Sequence, residues 1–298
     1  MDILVTGGTV FASRFTAEYF SKLGHNVYVL NRGSRPQSQN VIPIIADRHS
    51  LGNVLKKYHF NTIIDVTAYS SEDVNLLLDS LESFDKYFLI SSSAVYPETL
   101  QQPFSETMEI GPNSIWGKYG TDKIAAERAL LKRVPDAYII RPPYLCGPMN
   151  NLYREAFVFE CAKSNRPFYL PIDGSMKLQF CHIGDVCRLI EKLLIIKSTY
   201  HIFNTGYPVP VSIIEWVTLC YGIMGKTPDF KHVNQEIPQR NYFPFYKYEY
   251  LLDVDRMINI IGEPTSLKKS LKESYDWYKN NQSLIIKKPL IQFIENNL

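Results

Sequence analysis

A tyrosine and a lysine four positions apart, Tyr119 and Lys123, stand at the head of an apparent helix over residues 124–131. At about 3.6 residues per turn, the two side chains lie one above the other on the same helix face. A phenol ordinarily titrates near ~10, and an ammonium held beside it favours the phenolate. The spacing therefore predicts a Tyr119 that exchanges protons near neutral pH, as a general acid and base does. A hydroxyl partner is at hand in Ser91-Ser92-Ser93-Ala94-Val95-Tyr96, which follows an apolar strand. Such a hydroxyl holds the oxygen of a carbonyl or alcohol while Tyr119 gives or takes its proton, so the two act at one carbon.

These side chains need a frame that brings them to one rim. Ile3-Leu4-Val5 reads as a short strand, Thr6-Gly7-Gly8-Thr9 as a turn, 11–23 as a helix and 26–30 as a second strand. That is the opening of a βαβ unit, where backbone N–H groups at the helix start receive a pyrophosphate. Only Gly7-Gly8 of the usual three-glycine pattern is present, with Val10 and Ser13 standing in the remaining stretch. After the second strand comes Asn31-Arg32. An NAD-selecting fold places an acid here for the ribose 2′-hydroxyl, whereas a 2′-phosphate calls for a cation. Arg32, with Arg35 behind it, therefore favours NADP(H), and NAD(H) is the alternative.

The rhythm continues with a strand at 41–46 ending in Asp47-Arg48, a helix at 51–58 and a strand at 62–66 running into Thr67-Ala68. A helix at 71–81 and a strand at 86–90 follow. Strands alternating with helices across short connections predict an α/β fold with a parallel sheet covered on both faces. Ligands in such sheets sit beyond the carboxyl ends of the strands, where the glycine turn, Asn31-Arg32, Asp47, Thr67-Ala68 and the serine run all fall.

Composition narrows the class. A net charge of +2 over 298 residues gives no nucleic-acid surface, and Lys268, Lys269 and Lys272 lie on an amphipathic stretch that reads as a solvated helix face. The five cysteines lack CxxC spacing and are expected to be reduced core residues, with no metal site and no disulfide. Met1-Asp2 leads straight into a strand, and no apolar run reaches the ~18 residues of a membrane span, so a cytoplasmic protein is expected.

Taken in order, the glycine turn, the serine strand end and Tyr119-Gly120-Thr121-Asp122-Lys123 resemble the short-chain dehydrogenase/reductase superfamily, in its extended or atypical NAD(P)-dependent epimerase/dehydratase branch. Arg141-Pro142-Pro143-Tyr144, Gly147-Pro148, the run from Gln179 to Val186, and Phe203-Asn204-Thr205-Gly206 continue the resemblance, which spans residue 2 to about 280. It implies a Rossmann-type doubly wound parallel sheet with a smaller C-terminal substrate-binding domain. Residues 1–150 would form the dinucleotide domain, 178–204 would return to it, and the rest of 151–298 would be mainly cap and C-terminal helices.

Carried over by position, the resemblance makes Tyr119 the general acid/base, Lys123 the ligand of the nicotinamide ribose, and Ser92 the substrate-oxygen donor, with Ser93 the neighbouring alternative. Gly7, Thr9, Phe11 and Ala12 would border the pyrophosphate, Asn31 and Arg32 the ribose, Asp47 and Arg48 the adenine, and Thr67 and Ala68 the nicotinamide. Tyr144 and Arg240 fall on the substrate side. The guanidinium fork of Arg240 suits a diphosphate, and the aromatic residues around it read as packing. His182 reads as structural. The tail, 284–298, reads as an amphipathic helix docked on its own chain, with an oligomer contact the alternative.

The implied activity is reversible hydride transfer at a carbon of a nucleotide sugar, with epimerisation first, dehydration beside it and an NADPH-dependent keto-sugar reductase as the alternative. A homodimer is expected. Because a fold does not fix function, the rival from another class is a non-catalytic dinucleotide sensor or RNA-associated protein.

Overall fold

The computed structural model describes residues 1–234 and 236–298. Its centre is a seven-stranded parallel sheet built from β1 (Asp2–Thr6), β2 (Asn26–Asn31), β3 (Ile42–Ile45), β4 (His59–Asp65), β5 (Ser83–Ile90), β6 (Tyr138–Arg141) and a late strand, Ile202–Asn204. Counting the short strands between, β7 (Tyr144–Cys146), β8 (Phe168–Pro171), β9 (Lys177–Leu178) and β10 (Phe180–His182), that late strand is β11. The order β11-β6-β5-β4-β1-β2-β3 reverses direction at β1, as in a doubly wound fold. Central strands covered on both faces need apolar residues at consecutive positions, and Ile3, Leu4 and Val5 are all fully buried. At the β3 edge three of four residues are exposed and Pro43 sits in the strand, which suits an edge with no further partner.

One face of the sheet is covered by α1 (Phe11–Lys22), the other by α2 (Ser71–Ser80) and α3 (Lys118–Arg133). Ser70 and Asp73 close a reciprocal capping box at the start of α2, which fixes where the chain leaves β4 and turns into that helix. A second apolar cluster gathers α4 (Glu155–Lys163), α6 (Ile213–Ile223) and α8 (Leu267–Asn280) around Trp216, Phe180, Phe243 and Phe245. Between them in sequence, α5 (Ile183–Ile195) and α7 (Asp255–Ile261) return to the α1 face. β10 pairs with β7, β9 with β12 (Val211–Ser212), and β8 with β13 (Phe230–Val233). All five cysteines are free and buried.

Two expected elements differ. No α-helix forms over 51–58: a 3-10 turn at Arg48–Ser50 leads into further turns, with Gly52 in the left-handed region at φ +52. Leu51 and Leu55 still bury, so the apolar positions dock although the backbone does not coil. The tail is helical only as α9 (Leu290–Asn297), because Pro289 excludes a helix running through it and biases Lys288 toward extended backbone. Before it, Ile286 bridges in parallel to Leu152, and its N–H donates to the Asn151 carbonyl at 2.9 Å. α9 does dock on its own chain, with Ile291, Phe293 and Ile294 against the second cluster.

Candidate active site

The carboxyl ends of β1 to β5 share one rim. Between β1 and α1 the chain turns through Gly7 and Gly8 at φ +91 and +80. A Cβ on Gly7 would stand 2.8 Å from the Ser13 hydroxyl and one on Gly8 2.5 Å from a Val29 methyl, so both positions require glycine. Ser13 fills the space under the turn and donates to the Val10 carbonyl at 2.9 Å. The start of α1 has no side-chain cap and no acid in its first turn, leaving its N–H groups to face an anion.

A cleft of about 420 Å³ opens beside this turn, lined by Gly7, Thr9, Asn31, Arg32, Arg35, Asp47, Arg48, Thr67 and Tyr69 among others. Asn31 ties the cleft together: its amide donates to the Gly7 carbonyl at 2.8 Å, and its oxygen accepts from the Gly33 N–H at 2.9 Å. Arg48 is less free than the adenine role requires. Its guanidinium binds fully buried Asp65 at 2.5 Å, although one of its nitrogens stays buried without a hydrogen-bond partner among the described residues. Burial would raise the Asp65 carboxyl, but Arg48, Tyr87 and Thr6 outweigh it and hold the group below the usual range. Phe11 lines a neighbouring recess with Arg14, Met149 and Trp277. Ala12 and Ala68 are not among the residues that line the cleft; Ala68 is fully buried and contributes its carbonyl to Lys123.

Ser92 and Tyr119 meet. The Ser92 hydroxyl accepts the Ala94 N–H at 3.1 Å, which caps the turn after β5, and it is the principal group drawing the Tyr119 phenol toward ionisation. Ser93 is buried, its N–H held by the Pro142 carbonyl at 2.9 Å. The expected effect of Lys123 on Tyr119 is absent. Its ammonium turns under the sheet to donate to the Ala68 and Ile90 carbonyls at 2.7 and 2.9 Å, beneath the Tyr69 ring at 4.9 Å. Burial takes this lysine down to about 8, against the pull of Asp65 and Glu127. Tyr119 keeps 39 % of its surface accessible, yet the protein packed around its phenol raises the pKa; Ser92 and Arg154 oppose that rise.

Beyond Tyr119 lies an aromatic cluster. Trp116 stands 6.1 Å from the Tyr119 ring, 4.8 Å from Tyr246 and 6.3 Å from Tyr144. Arg154 stacks over Tyr144 and Phe245 at 5.0 and 5.7 Å, and Arg240 over Tyr246 at 4.6 Å. Among the described residues, the Tyr144 hydroxyl and the Trp116 indole nitrogen are buried and make no hydrogen bond of good geometry. Tyr69, Trp116, Arg154 and Tyr246 were not singled out as site residues from the sequence. Arg154 and Tyr69 carry no motif, and the aromatic residues look like core until the chain folds. His182 accepts the Gly184 N–H at 3.1 Å and faces Glu273, a structural role.

A model of the NAD dependent epimerase/dehydratase family matches residues 3–206. A relative from Arabidopsis thaliana, the chloroplast stem-loop binding protein of 41 kDa b, is 25% identical over 92% of this chain and 78% of its own length. Among solved structures, UDP-glucose 4-epimerase from Thermotoga maritima with UDP-glucose superposes with a TM-score of 0.76, at 19% identity, over 95% of this chain and 100% of that one. UDP-glucuronic acid 4-epimerase from Bacillus cereus, in complex with UDP-glucuronic acid and NAD, gives 0.75 at 18% identity, over 94% and 99%.

Proposed function

This chain belongs to the NAD dependent epimerase/dehydratase family, and on that premise we propose that it catalyses reversible hydride transfer at a carbon of a nucleotide sugar. The observation that carries the reading is the Ser92 hydroxyl set against the Tyr119 phenol, between the cleft beside the glycine turn and a cation-bearing aromatic cluster. The residues present fit a nicotinamide dinucleotide: a glycine turn that a Cβ would fill, an uncapped helix start and an Arg48 nitrogen without a hydrogen-bond partner among the described residues. The nicotinamide, when bound, supplies a reversible acceptor and donor of hydride.

The chain's own residues handle the proton. With its oxygen accepting the Ala94 N–H, the Ser92 hydroxyl has one proton to give, to the Tyr119 phenolate while no substrate is bound and to the substrate oxygen once one is. Tyr119 takes the hydroxyl proton on oxidation and gives it back on reduction, with Ser92 and Arg154 the groups that favour its ionised form. Two of the three Lys123 donors are taken by carbonyls, so one is left for ribose hydroxyls.

Epimerisation is the first form of the reaction. The cofactor in this reading is NADP(H), on the cations Arg32 and Arg35 at a strand end without an acid, while the Bacillus cereus neighbour carries NAD. A chain that released NADP after each turnover would be a keto-sugar reductase, and mass spectrometry of cofactor retained by the purified protein separates the two. The decisive variant is Tyr119→Phe, assayed on UDP-, dTDP-, GDP- and CDP-sugars. Turnover is expected to fall by about 10²-fold or more, with dinucleotide affinity kept. Undiminished turnover would overturn the reading.

One observation favours a second reading. The stem-loop binding relative aligns over nearly the whole chain, so RNA association on this fold is the rival function. It predicts a gel shift with RNA stem-loops that is indifferent to Tyr119→Phe.

A further inference from the structure

The aromatic cluster collects positive charge, and the buried Glu155 beside Arg154 accepts a hydrogen bond from Asn150 and forms no ion pair with that arginine among the described residues. Lys287 is neutralised by Glu160 at 2.7 Å, whereas Lys288, Arg154 and Arg240 form no ion pair among the described residues. Arg240 and Lys288 line one cleft of about 310 Å³, with Asn241 and Phe293 beside them. Arg154 stacks over Tyr144, whose hydroxyl is buried and makes no hydrogen bond of good geometry among the described residues. Burial, then Arg240 and Arg154, hold the Lys288 ammonium below the ordinary lysine range.

The route of the tail puts Lys288 there. Ile286 pairs with Leu152, two residues before Arg154, so the segment that brings Lys288 also braces the loop that carries Arg154. Pro289 then starts α9 and leaves Lys288 outside the helix. Cations brought to one region without ion-pair partners among the described residues repel one another, an arrangement that an anion relieves. Arginine forks bind two oxygens at once and lysine adds a compact point charge, a combination suited to adjacent phosphate groups.

Resting on the nucleotide-sugar reading above, we infer that Lys288 joins Arg154 and Arg240 in a three-cation seat for the substrate diphosphate, which makes the C-terminal segment a working part of the substrate site. Arg240 alone was legible as a phosphate ligand; the structure adds the tail.

Calorimetric titration of UDP and of GDP into protein saturated with NADP tests this, because the saturated dinucleotide cleft no longer competes for phosphate. Lys288→Gln is expected to weaken the preferred nucleoside diphosphate about tenfold, the worth of one charge-assisted hydrogen bond, with a shallower salt dependence. Lys288→Arg should bind within about threefold of the wild type, since it keeps the charge. NADP affinity should be equal in all three proteins, which shows that the variants are folded. Lys288→Gln binding as tightly as the wild type overturns the inference, as does a wild type that takes neither UDP nor GDP. The catalytic reading is judged separately by Tyr119→Phe turnover, so either can fail without the other.

Discussion

Lys123 is a cation almost wholly inside the protein, and its pKa of about 8 sets a pH signature. Below that pH both folded and unfolded chains hold the proton, and the full burden of the buried charge weighs on folding. Between about 8 and the ordinary lysine range, the unfolded chain keeps a proton that the folded chain has released, so this group makes stability rise with pH. Above that range the lysine is neutral in both states and the burden is gone. Lys123→Met is expected to lose this slope. The difference in urea-unfolding stability between wild type and variant should shift in favour of the wild type by a few kcal/mol from pH 8 to 10.5, at ~1.4 kcal/mol per pKa unit. Parallel profiles would show that Lys123 is not the group responsible. The sequence reveals this residue's helix face but not its partner. The i,i+4 spacing from Tyr119 fixes where the stem leaves the helix, while a four-carbon stem lets the ammonium choose the Ala68 and Ile90 carbonyls over the phenol. Serine has no such freedom, and Ser92, pinned by the backbone of its own turn, lies where its strand end predicts.

The helix that carries Tyr119 and Lys123 is held from behind by a buried ion pair. Glu127, one turn past Lys123 on α3, receives two nitrogens of Arg141 from β6 at 3.0 and 2.6 Å, and the Ser91 hydroxyl at 2.5 Å. Arg141 also donates to the Tyr96 hydroxyl, which passes the bond on to Asn204 of β11. Ser91 precedes Ser92, so one carboxylate fixes the strand end and the helix whose side chains must meet. Removing one member of such a pair strands a buried charge, and Arg141→Met should destabilise the protein by ~3–5 kcal/mol. The double variant Glu127→Met with Arg141→Met should recover much of that loss in chemical denaturation while turnover stays low, because the apolar pair restores folding but not the Ser91 tether. If the double variant is as unstable as the sum of the single ones, the two residues act independently. Element boundaries were legible where long apolar runs set them, as in β1, β2 and α2. They were not legible at 51–58 and in the tail, where Gly52 and Pro289 redirect the backbone of segments whose apolar spacing still reads as helical.

At the scale of the molecule, the two ligand regions rest on different packing. The cleft proposed for the dinucleotide is built from the ends of the central sheet, whose two faces carry their own apolar clusters. The aromatic residues around Arg154 rest on the second cluster through a continuous pile of rings: Trp216 lies 5.7 Å from Phe180 and 5.2 Å from Phe245, Phe245 lies 4.5 Å from Tyr144, and Arg154 sits over both Tyr144 and Phe245. The sequence showed this aromatic richness but not its direction, since rings that pack a core and rings that border a ligand site have the same composition. Trp216 is fully buried, and Trp216→Ala opens a cavity worth ~3–5 kcal/mol of stability. The loss should fall on the aromatic residues around Arg154. Nucleoside diphosphate affinity is expected to drop with the loosened seat of Arg154, while NADP affinity, measured on the same sample below its unfolding midpoint, stays within about twofold, because among the described residues no ring lining that cleft stacks on Trp216, Phe180, Phe245 or Tyr144. Loss of both affinities in parallel would mean that the molecule softens as a single unit and that the dinucleotide cleft depends on the second cluster as much as on the sheet.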